Sequence, residues 1–132
     1  PVITTAEDFA LIQKTARRIY LPEIVADYIA RIVDATHPGQ SKAAEGVRYG
    51  ASPRAALSLA SAAKARALMQ GRPNASFEDV QALAQPVLNH RILLDYTARM
   101  DGRSSASVVR EIISEVPVQN LTTPRTLKDS AA

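Results

Sequence analysis

Apolar residues recur three and four positions apart along almost the whole chain, and strict apolar–polar alternation is nearly absent, so the sequence predicts helices rather than strands. A first helix is expected to start at Thr5, with Glu7 and Asp8 near its positive end and Phe9, Ile12, Ala16 and Ile19 as its apolar stripe. Tyr20-Leu21 reads as a short extended link, and Pro22 can open a second helix. That helix carries Val25, Tyr28, Ile29, Ile32 and Val33 on one face and is stopped by His37-Pro38-Gly39. Residues 37–51 hold three of the five glycines and form the longest connection before the C-terminal tail.

The next segment, GASPRAALSLASAAKARALMQGRP from Gly50 to Pro73, carries its own start and stop signals. Ser52 suits the N-cap, Pro53 the first helical position and Gly71 the C-terminal stop. Its many alanines imply close packing, because small side chains let helix axes approach. Ser76 then caps a helix with Glu78 and Asp79 in its first turn and Phe77, Val80, Leu83, Ala84, Val87 and Leu88 as its stripe. Pro86 lies inside that pattern and is expected to kink or divide it. Ile92, Leu93 and Leu94 form a compact apolar patch, and Asp101-Gly102 turns the chain. Ser104 or Ser105 can cap a last helix carrying Val109, Ile112, Ile113 and Val116, ended by Pro117. The expectation is an all-α bundle of five or six helices over residues 1–117, followed by an aperiodic, polar and flexible tail over 118–132.

Composition changes this picture little. The chain has 132 residues, 46% apolar and 22% charged, which fits one globular domain. The absence of cysteine excludes a disulfide framework and a thiolate metal site, and makes a cytoplasmic setting the default expectation. Apolar runs of about four residues are far too short for membrane insertion. The chain opens on Pro1 without an initiator methionine and reads as a piece of something longer.

Charge distribution says more than the net +3. From Gly46 to Phe77 there is no acidic residue, while Arg48, Arg54, Lys64, Arg66 and Arg72 supply five positive charges. This block is either a solvated basic face or a binding surface. Enzymatic constellations are missing. No Gly-Lys pair exists for a phosphate-cradling loop, and His37 and His90 stand apart without the helical spacing of a zinc site. His90 reads as a structural residue hydrogen-bonded at a helix end, and Arg91 as a donor to carbonyls there. The Glu7-Asp8 and Glu78-Asp79 pairs sit at helix starts, where the dipole accounts for them. By this reading the chain alone is not an enzyme and binds no metal or cofactor by itself.

One residue breaks the local rules. Arg54 puts a permanent cation on the first turn of a helix, where the dipole is already positive and acids are usual. It either extends into water or awaits an anion, since exposed helix-start amides and a forked guanidinium together suit phosphate.

The run Gly50-Ala51-Ser52-Pro53-Arg54-Ala55 and the alanine-rich helix after it resemble the C-terminal lid of MoxR-type AAA+ ATPases. Tyr28-Ile29 through Asp34-Ala35-Thr36, the Gly71-Arg72 turn, Asp79-Val80, and Pro86-Val87-Leu88 leading to His90-Arg91 agree in order, over roughly residues 3 to 117. His37 departs from the pattern, standing where the family often has arginine. The resemblance implies that Arg54 is the sensor 2 arginine, reaching the γ-phosphate of ATP, with Ser52 and Pro53 forming the helix start that presents it. It further implies that ATP and Mg are bound mainly by a core domain preceding Pro1. The implied partners are that core domain, neighbouring subunits of a ring (a hexamer) and von Willebrand factor A-domain proteins, in a chaperone-like task without nucleic acid. The alternative reading is a stand-alone basic helical module that binds nucleic acid or a protein helix. Scarce aromatics, two Phe, four Tyr and no Trp, weigh against that alternative.

Overall fold

The computed structural model describes Val2 and residues 5–119, so the expected tail lies outside the described residues beyond Gln119. Six α-helices dominate: α1 (Ala6–Arg18), α2 (Glu23–Ala35), α3 (Pro53–Met69), α4 (Phe77–Leu88), α5 (Tyr96–Met100) and α6 (Ser105–Glu115). The all-α expectation stands, and capping chemistry accounts for most of the boundaries. Thr5 accepts from the Asp8 N–H at 3.1 Å. Ser76 with Asp79, and Ser104 with Ser107, form reciprocal capping boxes. α3 ends in a Schellman turn: the Arg72 N–H reaches the Ala67 carbonyl and the Gly71 N–H the Leu68 carbonyl, both at 2.9 Å. Gly71 has φ +70°, the left-handed conformation that glycine adopts without penalty.

α3 is the centre of the bundle and packs against α1, α2 and α4. Ala55, Leu59, Ala63 and Ala67, four residues apart, are all fully buried, so the alanines bring neighbouring helices close. Around them Tyr28, Ile32, Leu88, Val108 and Ile112 complete the interior. Tyr28 meets the Phe77 ring edge-on at 5.6 Å, and its hydroxyl accepts from Gln81 at 3.2 Å.

Two features lie beyond the sequence reading and two expectations need correction. Within the connection at residues 37–51, β1 (Val47–Tyr49) pairs antiparallel with β2 (Leu93–Leu94), Val47 opposite Leu94. The short helix α5 has no apolar period of its own and comes from the Asp95 cap, which accepts from Ala98 N–H at 2.7 Å. Pro86 does not divide its helix, because it lies in the last turn of α4, and a 3₁₀ turn (Asn89–Arg91) follows. The apolar stripe of α1 is not a core face, since Phe9 and Ile12 are 52% and 43% exposed and only Ile19, at the helix end, is buried. α1 runs alongside α3 in the same direction. The Lys64 Nζ donates to the Arg17 carbonyl at 3.0 Å, and Tyr20, just past α1, pairs with Pro73 and Ala75, just past α3.

Candidate functional site

The start of α3 is held from behind. Thr36, at the end of α2, is fully buried; its hydroxyl donates to the Val33 carbonyl at 2.6 Å and accepts the Ala51 N–H at 2.8 Å. This single oxygen ties the end of one helix to the entry of the next. Gly50 makes the approach possible, because a Cβ there would stand 2.8 Å from the Thr36 carbonyl oxygen and 2.9 Å from the His37 Cα. Ala51 and Ala55 are fully buried on either side of the turn, so small residues are required at both. Four of the six residues from Gly50 to Ala55 therefore have a structural reason: a close approach, two buried alanines and a proline at the first helical position.

Ser52 and Arg54 are the other two, and both face solvent. Ser52 occupies the N-cap with extended backbone, yet its side chain makes no capping hydrogen bond, contrary to the expected cap. Arg54 is exposed and has no hydrogen-bond or ion-pair partner among the described residues. The first turn of α3 contains no acid. A cation with no partner at an unfilled helix start is an arrangement an anion would stabilise.

The far end of α3 is the opposite. Asp79, fully buried, accepts from Arg66 at 2.7 Å, from both terminal nitrogens of Arg72 at 2.9 and 2.6 Å, and from the Ser76 N–H at 2.8 Å. Burial pushes this carboxyl up, but donation from Arg72, the Ser76 amide, Arg66 and the Ser76 hydroxyl outweighs it and holds Asp79 well below the usual carboxylate range. The bond to Asp79 in turn raises the Arg72 pKa, against the opposing effect of desolvation. Sequence reasoning placed Asp79 at a helix dipole and missed this double clamp; the available signal was the first acids after an acid-free stretch with two arginines just upstream. The clamp also dismantles the supposed basic face. Arg66 and Arg72 are both drawn onto the single Asp79 carboxylate, Lys64 is turned to a carbonyl, and Arg48 lies 5.4 Å from the Tyr49 ring. The basic block is not one surface, which weakens the nucleic-acid alternative.

His37 touches the Asp34 carbonyl at 3.2 Å. His90 is exposed and makes none of the hydrogen bonds expected of it, and Arg91 binds no carbonyl but donates from Nη2 to the Ser58 hydroxyl at 3.2 Å. Among the described residues no cluster of His, Asp or Glu could hold a metal ion, and no helix is long and apolar enough to cross a membrane. A cleft of about 570 Å³ lined by Glu45, Asp95, Asp101 and Glu111 takes no residue from α3, so Arg54 stands outside it.

The AAA lid domain family matches residues 39–112. The chain is 36% identical over 121 residues to the uncharacterized protein YeaC of Bacillus subtilis, covering 90% of this chain and 36% of that protein. It is 30% identical over 142 aligned positions to chaperone MoxR1 of Mycobacterium tuberculosis, covering 98% of this chain and 38% of the relative. A crystal structure of a candidate ATPase from Cytophaga hutchinsonii superposes with a TM-score of 0.81 at 32% identity, over 86% of this chain and 36% of that one. The chain thus spans little more than a third of the length of each relative. The helical bundle and the GASPRA turn agree with these matches, and the chain belongs to the AAA lid domain family, as a lid of the MoxR type.

Proposed function

We propose that residues 1–117 act as a lid that closes over ATP held with Mg by an ATPase domain of the same polypeptide, and that Arg54 then reaches the γ-phosphate. The observation that carries this reading is the exposed guanidinium of Arg54, without a partner among the described residues, on a helix start whose own cap is unfilled. Bound ATP supplies a phosphoryl group whose charge grows in the transition state. The residues of this chain contribute positioning: Thr36 and Gly50 fix the direction of α3, Pro53 presets its first turn, and Arg54 offers a planar, permanently charged donor. The charge near the phosphate also links lid closure to the state of the nucleotide, which is how hydrolysis would drive movement.

The wider function follows the same reading. The lid would pack against its own ATPase domain and neighbouring subunits of a hexameric ring in the cytoplasm. The task would be chaperone-like remodelling of partner proteins, von Willebrand factor A-domain proteins among them. The printed name of the M. tuberculosis relative, a chaperone, supports this direction. The chain by itself supplies too few contacts for nucleotide binding tighter than about millimolar.

The test is ATP turnover by the polypeptide that carries the lid together with its ATPase domain. Arg54→Ala is expected to raise the barrier by about 2–4 kcal/mol, as for losing one preorganised donor to developing charge. Arg54→Lys is expected to recover part of the activity, because the ammonium keeps the charge and loses the fork. Unchanged turnover in Arg54→Ala would remove the phosphate contact from the account.

A further inference from the structure

Among the described residues five arginines are half-buried: Arg31, Arg66, Arg72, Arg91 and Arg103. Four of them meet a carboxylate within 2.8 Å: Arg31 with Asp27, Arg66 and Arg72 with Asp79, and Arg103 with Glu111. Arg91 meets none among the described residues. Its bond is to the neutral hydroxyl of Ser58, and its Nε is shielded from solvent without a partner. In the same three-residue turn the Asn89 Oδ1 is also shielded and unpaired. Partial burial of a guanidinium without a counter-charge is costly, and this fold compensates it at every comparable position but one.

The location gives the exception a meaning. Ser58 is four residues beyond Arg54, one helical turn and about 6 Å along the axis of α3. Arg91 therefore lies against the same face of α3 that carries Arg54, one turn back from the open end. A phosphate is better served at the helix start, where free amides and the dipole add to Arg54; mid-helix amides at Ser58 are spent on the helix. What a lone fork there suits is a planar carboxylate approaching its Nη side, since Nε is closed off by the fold.

Building on the lid reading, we propose that Arg91 receives a carboxylate side chain of the ATPase domain when the lid closes. α3 then presents two contacts one turn apart, Arg54 to phosphate and Arg91 to protein. The second contact makes closure depend on domain docking as well as on nucleotide.

A zero-length carbodiimide cross-link tests this in the polypeptide bearing both domains, using Arg91→Lys with and without the non-hydrolysable analogue AMPPNP. The expected result is a cross-link from position 91 to an Asp or Glu of the ATPase domain, enriched severalfold by the analogue. Cross-links confined to the lid, or none at position 91, overturn the proposal. A kinetic measurement separates the remaining possibilities. Arg91→Gln should lower turnover at saturating ATP about tenfold while the analogue's Kd moves less than about threefold. A weakened Kd with normal saturated turnover would assign Arg91 to the nucleotide, and a lower melting temperature with normal turnover per folded molecule would make it structural. Either outcome contradicts the proposal. Should Arg54→Ala keep full turnover while the cross-link forms, the phosphate contact alone fails and the docking contact stands.

Discussion

The two ends of α3 are built from the same kinds of residue and are opposite in character. At the C-terminal end two arginines converge on one buried carboxylate, whose oxygens also accept the Ser76 amide and hydroxyl. At the N-terminal end Arg54 has no partner among the described residues, and Ser52 leaves the cap unfilled. An arginine in a saturated network is part of the architecture. An arginine held out on a rigid support with nothing to bind is available to something else. The difference lies in the partners rather than in the residue type, and it divides the helix into an end that holds the fold and an end that, under the lid proposal, meets the nucleotide.

The largest effect should come from breaking the closed end. Asp79→Ala leaves two half-buried guanidiniums facing each other, and because both remain a third exposed, the loss belongs at the low end for a buried ion pair, about 3 kcal/mol. Urea unfolding measures it, and a loss below about 1 kcal/mol would mean that the clamp is ornamental. The same carboxylate gives the chain a pH signature. Its folded pKa lies below the unfolded value, so its contribution is complete above the unfolded pKa of about 4 and is lost as pH falls below it toward the folded pKa. Thermal melts of the wild-type chain should therefore weaken below about pH 4, and Asp79→Asn should lack that part of the acid limb. A mutant limb as steep as the wild type would place the titration elsewhere.

How far this division could be read from the sequence depends on distance along the chain. Helix starts and stops at Thr5, Ser76, Ser104 and Gly71 were legible because caps are made within three or four residues. Arg54 stood out for the same local reason. The Thr36 to Ala51 bond, the pairing of Val47 with Leu94, and the reach of Arg91 to Ser58 join residues 15 or more positions apart, and helical periodicity carries no record of them. Periodicity also misjudged α1. Phe9 and Ile12 repeat as a core stripe would, but the bundle closes around α3 without covering them.

The smallest effect sharpens the comparison most cheaply. Ser76→Ala removes an engaged cap and should cost about 1 kcal/mol, whereas Ser52→Ala removes a hydroxyl that caps nothing and should stay within about 0.5 kcal/mol. Equal losses at the two serines would show that the open end is capped in solution.

If Arg54 contacts the γ-phosphate, its end of α3 is dispensable for folding and required for turnover, and both quantities can be read on one variant. With Arg54→Ala, unfolding free energy should stay within about 0.5 kcal/mol of wild type, as for an exposed side chain without partners. In the same preparation, carrying lid and ATPase domain together, ATP turnover per folded molecule should fall by the factor corresponding to about 2–4 kcal/mol. A variant that loses stability while each folded molecule turns over ATP at the normal rate would make Arg54 a structural residue and contradict the account.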